Sequence, residues 1–244
     1  AHSPITFGGN TKLYLRGVEN WDGNSYSYEG EPCNAQISFG NDNVPVACTG
    51  DIRTLIDYKT YKTVDTSNAR FGFLFDECTE LTSAPELPAT DLAEGCYSGM
   101  FYGCTSLTEA PALPATTLAD DCYRKMFALC KKLTEAPALP ATTLADDCYY
   151  SMFNSCTSLT EAPALPATTL ADGCYYAMFA SCTSLEIAPE LPATELAADC
   201  YYGMFYGCTS LTEAPELPAT TLAEECYYDM FSDCTSLKEA PELP

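Results

Sequence analysis

The chain repeats one pattern every 26 residues, without insertion or deletion: Cys104-x-x-Leu107-x-x-Ala110-Pro-x-Leu113-Pro-x-x-x-Leu118-x-x-x-Cys122-Tyr123-x-x-Met126-Phe127. A period of this size is the mark of a stack in which each repeat is one supersecondary unit that buries its apolar side only against its neighbours. The columns of the repeat show which residues those are. All six methionines fall in one column, Met100 to Met230, and 13 of the 15 cysteines fall in two, that of Cys104 and that of Cys122. Leu107, Leu113, Leu118, Met126 and Phe127 represent the large core columns, each worth roughly 1.5–3 kcal/mol when buried. Their sum per coil does not offset roughly 1–2 kcal/mol of backbone entropy for every residue ordered, so one coil alone cannot fold.

From Cys78 there are six full repeats and an eleven-residue stub ending at Pro244. Phe71-x-x-Leu74-Phe75-x-x-Cys78 is a degenerate forerunner, so repeats begin near residue 71. Within a coil, Leu107, Ala110 and Leu113 recur every third residue with prolines behind them, which suits a short strand bending into an extended turn. Thr117-x-x-Asp120 resembles a capping box, as do Thr143/Asp146, Thr169/Asp172 and Thr221/Glu224. Leu118 to about Leu129 then reads as a short helix with acids in its first turn. The expectation is an α/β solenoid of strand-turn-helix coils.

Residues 1–70 carry no repeat and read as a β-rich module that caps the open apolar end of the stack. Alternation at Lys12–Arg16 and Gln36–Phe39 suggests strands, and Gly8-Gly9-Asn10, Asp22-Gly23-Asn24 and Gly40-Asn41 suggest turns. A two-residue turn at Gly40-Asn41 would place Cys33 opposite Cys48, either bonded or as two small buried hydrophobes. Trp21 serves either the core of this module or a sugar platform. The chain opens Ala1-His2-Ser3-Pro4 without a signal segment, as expected of a mature or truncated form.

The pattern Tyr97-x-x-Met100-Phe101-x-x-Cys104-x-x-Leu107 resembles the BspA-like leucine-rich repeats of bacterial surface proteins, and also the related Met-Phe-x-x-Cys-x-x-Leu repeats of a bacterial domain of unknown function. That resemblance covers 71–244, and implies a right-handed leucine-rich-repeat solenoid at the outer cell surface or outside the cell. It implies adhesion to host or microbial partners, and brings no catalytic motif and no cofactor. The second cysteine column and the Pro-Ala-Thr-Thr segment depart from the commoner family pattern.

Charge narrows the partners. The chain has a formal net charge of −23, and residues 78–244 hold 24 acidic against five basic side chains. Nucleic acid and anionic lipid are therefore disfavoured, and no apolar run approaches the ~18 residues of a membrane span. The cysteine columns alternate at intervals of 8 and 18 residues, and the only histidine is His2, which argues against zinc. Buried free thiols are the expectation, with some disulfides as the alternative.

Two sets of side chains are candidates for a binding surface. Glu109, Glu135, Glu161, Glu213 and Glu239 share a column interrupted by Ile187. Tyr150, Tyr176, Tyr202 and Tyr228 form a column beside the more regular Tyr97 column, and as its variable partner it is the better candidate for the surface. A second acidic stripe comprises Asp120-Asp121, Asp146-Asp147, Asp172 and Glu224-Glu225. A repeated stripe gives copies of one environment, whereas a hydrolytic carboxylate pair needs two unlike ones, so catalysis is not expected. The partner is a protein or a glycan, the alternative a spacer without its own ligand. The apolar end at Pro244 is expected to be covered by further sequence or by another molecule stacking end to end. Arg124-Lys125, Lys131-Lys132, Ile187 and the second tyrosine column are the letters that change, and so the ones that carry function.

Overall fold

The computed structural model describes residues 14–15, 36–37 and 44–241. Trp21, Cys33, the Gly40-Asn41 turn and most of the expected N-terminal strands and turns lie outside the described residues, whereas Cys48 is described and is a free thiol. From residue 71 onward each 26-residue coil lies on the next, and one continuous apolar cluster runs from Ile52 to Cys234.

The segment expected to be a helix is not one, and no α-helix occurs among the described residues. Over 121–130 the backbone N–H groups alternate between two destinations. Those of Cys122, Arg124, Met126, Ala128 and Cys130 donate three residues back, to Ala119, Asp121, Tyr123, Lys125 and Phe127. Those of Asp121, Tyr123, Lys125, Phe127 and Leu129 donate to the following coil, to the carbonyls of Asp146, Cys148, Tyr150, Met152 and Asn154, at 2.8–3.0 Å. The result is a ribbon of overlapping turns in which every amide hydrogen has a partner, half of them in another coil.

Such a ribbon needs a left-handed residue at every fourth position. Gly95, Gly99 and Gly103 have φ of 61°, 57° and 68°, and Asp121, Lys125 and Leu129 in the next coil have 54°, 52° and 63°. Its side-chain period is therefore four instead of 3.6. Cys122-Tyr123 and Met126-Phe127 are buried, while Arg124 and Lys125 between them, and Leu129 after them, are half-buried.

Buried rings stack from coil to coil. Tyr97, Tyr123, Tyr149, Tyr175 and Tyr201 lie 5.7–6.0 Å apart between centroids and within 10° of parallel. Phe75 to Phe231 form a second ladder at 5.6–5.9 Å. Offset-parallel pairs of this kind add about 0.5–1.5 kcal/mol each beyond their buried area.

The proline side of the coil is bonded sparsely, since prolines have no N–H to give. Adjacent coils meet there by single parallel bridges, such as Glu109 with Glu135 and Thr117 with Thr143. The expected capping boxes are not formed. Asp120 accepts instead from the N–H of Asp146, Asp146 from that of Asp172, and Asp172 from that of Ala198, at 3.0–3.2 Å. Leu107, Leu113, Met126, Phe127, Cys104 and Cys122 are buried, and Leu118 is 7% exposed. Its column opens toward the last coil, where Leu222 is 55% exposed.

At the N-terminal side, strand β1 (Val46–Ala47) pairs in parallel with β2 (Leu81–Ser83). A short 3-10 turn follows at Ile52–Leu55, begun by Asp51, whose carboxylate accepts from the Arg53 N–H and pairs with its guanidinium at 2.7 Å. Ile52 and Ile56 enter the shared core. The Ile37 N–H donates to the Leu74 carbonyl at 2.7 Å, and the Gln36 side chain to that of Asp76 at 3.0 Å. Leu74 and Asp76 belong to the first coil, so this edge accepts bonds from outside the repeats.

Candidate binding surface

Glu109, Glu135, Glu161, Glu213 and Glu239 are all exposed, as is Ile187 at 59%. The backbone bridges Ser83–Glu109–Glu135 and Glu161–Ile187 hold these members of the column in register. No ion pair among the described residues involves these carboxylates. The second acidic stripe has a different role: Asp120, Asp146 and Asp172 are tied up in binding the next coil's N–H groups.

The two tyrosine columns separate cleanly. Tyr97 to Tyr201 are at most 2% exposed, and the hydroxyls of Tyr123 and Tyr175 are buried without a hydrogen-bond partner. Tyr150, Tyr176 and Tyr202 are half-buried and Tyr228 is 52% exposed. Their rings stack at 4.5, 4.4 and 4.8 Å. A ring stacked on both faces offers only its edge and hydroxyl, so Tyr176 and Tyr202 are no platform for the apolar face of a sugar. Burial, followed by its tyrosine neighbours, pushes the Tyr176 hydroxyl up.

The sequence reading missed what begins this ladder. The Arg124 guanidinium lies 3.8 Å from the Tyr150 ring centroid, in the place a ring would occupy. It is held there by Asp121 at 3.2 Å and Asp147 at 3.0 Å. A planar, delocalised cation suits the ring face, and the two carboxylates fix its orientation. Burial raises the Asp147 carboxyl from its ordinary value while Arg124 pulls it back. Burial first, and Arg124 second, lower the Lys125 ammonium. The signal was present in the column Ser98, Arg124, Tyr150, Tyr176, where arginine directly precedes the first tyrosine.

Fourteen described cysteines are free thiols. In the Cys104 column each sulfur from Cys104 onward donates to a phenylalanine carbonyl of the preceding coil, as Cys104 to Phe75 at 3.0 Å and Cys156 to Phe127 at 3.1 Å, while Cys78 donates to the Ile37 carbonyl. Burial pushes Cys130, Cys148 and Cys182 up to about 12. Thiols this hard to ionise are poor nucleophiles and poor metal ligands. Among the described residues no group of three or more His, Cys, Asp or Glu is placed to hold a metal ion. None of their helices is long and apolar enough to cross a membrane.

The Pro-x-Leu-Pro segments of successive coils enclose a shallow apolar groove, lined between two of them by Ala110, Ala112, Pro114, Pro137, Ala138 and Pro140. No family model, curated protein or solved structure matches the chain.

Proposed function

We propose that the chain is a right-handed solenoid of the leucine-rich-repeat kind, with residues 1–70 as a capping module and 71–244 as the repeats. It is exported to the bacterial cell surface or beyond, and binds a protein or glycan partner along the side of the stack without catalysis or cofactor. The observation that carries this reading is the exposed glutamate column, without ion pairs among the described residues and bridged through the backbone at Glu109–Glu135 and Glu161–Ile187. The repeat's invariant apolar letters are used in packing, so what remains for a partner is a row of carboxylates interrupted by Ile187. Rows of this kind suit an extended partner that meets several coils at once.

The test is incubation of the folded protein with host matrix proteins and a glycan array, followed by the Glu135→Ala/Glu161→Ala double variant. Binding that weakens in the variant supports the reading. Absence of any binding by folded protein would favour the spacer, a reading supported by the coil-to-coil bonding of the ribbon.

A further inference from the structure

The groove on the proline side continues across coils. Between the first two it is lined by Ala84, Pro85, Glu86, Leu87, Pro88 and Pro111, and Ala112 and Pro114 line this stretch and the next alike. The column through it reads Glu86, Ala112, Ala138, Ala164, Glu190, Glu216, and all six residues are exposed. Three middle coils thus present alanine where the coils on either side present glutamate. Pro114, Pro140 and Pro166 run alongside, also exposed. Proline and alanine have almost no side-chain freedom to lose, so contact with this strip carries little entropic penalty. Three residues before each alanine stands an exposed carboxylate of the glutamate row: Glu109, Glu135, Glu161.

We propose that groove and row form one docking surface for a cationic amphipathic segment of another protein. Its apolar side chains would lie on the alanine and proline strip, and its lysines or arginines on the glutamate row and on Glu86, Glu190 and Glu216 of the flanking coils. The inference rests on the binding reading above and names the partner's chemistry. Charge complementarity selects a basic partner, because three carboxylates without ion pairs among the described residues run parallel to the groove on a chain of net charge −23. A protein segment is favoured over a glycan because, among the described residues, the groove is lined by Ala, Pro, Leu and Glu side chains and offers no aromatic face.

The test uses the full chain and a short synthetic peptide of alternating lysine and leucine, titrated calorimetrically at about 0.15 M salt, where long-range attraction is screened. A lysine-serine peptide of equal length is the control. The decisive variants are Ala138→Glu and Ala164→Glu. Coils carrying Glu86, Glu190 and Glu216 accommodate that residue at the same position, so the variants are expected to fold, which circular dichroism checks. Each makes the protein more negative yet is expected to weaken lysine-leucine binding about tenfold by interrupting the apolar strip. Glu135→Ala/Glu161→Ala should weaken it too, and the lysine-serine peptide should bind at least about tenfold less tightly. Unchanged or tighter binding by Ala138→Glu, equal binding of the two peptides, or no binding at all would overturn the proposal. If the matrix-protein and glycan screen yields a partner while the lysine-leucine peptide does not bind, this inference fails and the broader binding reading stands.

Discussion

At the scale of the residue, the decisive feature is the left-handed position at every fourth residue of the ribbon. Glycine occupies it at 95, 99 and 103, and again at 173, 203 and 207. Elsewhere Phe, Asp, Ser, Lys, Ala, Leu and Glu are held at φ between 47° and 63°. An L-residue there costs roughly 1–2 kcal/mol, which the ribbon's hydrogen bonds and buried rings offset. Two glycines of the same column should respond unequally to alanine. A Cβ at Gly203 meets nothing nearer than 3.8 Å, so Gly203→Ala should cost only the backbone term of about 1–2 kcal/mol. A Cβ at Gly99 would fall 2.3 Å from the Phe73 ring, so Gly99→Ala should lose about 1–3 kcal/mol more. Urea midpoints of the two variants check this, and equal losses would mean that the Phe73 ring moves aside freely. The glycines spaced four apart were legible in the sequence. Their meaning was not, because Cys-Tyr-x-x-Met-Phe-x-x-Cys is too short to tell a period of four from one of 3.6.

At the scale of the element, each coil is completed by its neighbours. The aspartate row makes this concrete: Asp120, Asp146 and Asp172 each accept from the next coil's N–H, and the row stops because residue 198 is alanine. Ala198→Asp should therefore gain an acceptor for the Glu224 N–H and stabilise the fold by about 0.5–1.5 kcal/mol. A rise in urea midpoint together with slower exchange of the Glu224 amide is the expected result. A midpoint that falls would show that repulsion from Glu195 and Asp199 outweighs the bond. The Thr-x-x-Asp signature pointed to the right residue and the wrong partner. An aspartate that caps its own helix and one that caps a neighbouring coil look alike in sequence, since the donor of the second lies 26 residues away.

At the scale of the whole molecule, the thiol columns couple folding to pH. Below about pH 9, the ordinary value for cysteine, the thiols are neutral whether the chain is folded or not. Above it the unfolded chain ionises, while Cys130, Cys148 and Cys182 stay protonated until about 12. Stability should thus fall between pH 9 and 12, by about 1.4 kcal/mol per pH unit for each such thiol. With many thiols acting together, a single steep alkaline unfolding just above pH 9 is expected, seen at once by circular dichroism and thiolate absorbance. Gradual thiolate formation in a chain that stays folded would contradict it. The sequence alone determined the coil length, the register and the main core columns, Leu107, Leu113, Met126, Phe127, Cys104 and Cys122, because a strict period places every copy of a residue in the same environment. It also marked Tyr150, Tyr176, Tyr202 and Tyr228 as the variable column. Only the tertiary structure decided the backbone path between Cys122 and Cys130, the stacking that hides those tyrosine faces, the task of the aspartate row and the apolar groove. The physical reason is common to all four: each depends on a neighbour one coil away, and a local pattern does not say where a donor, a ring face or a carboxylate finds its partner.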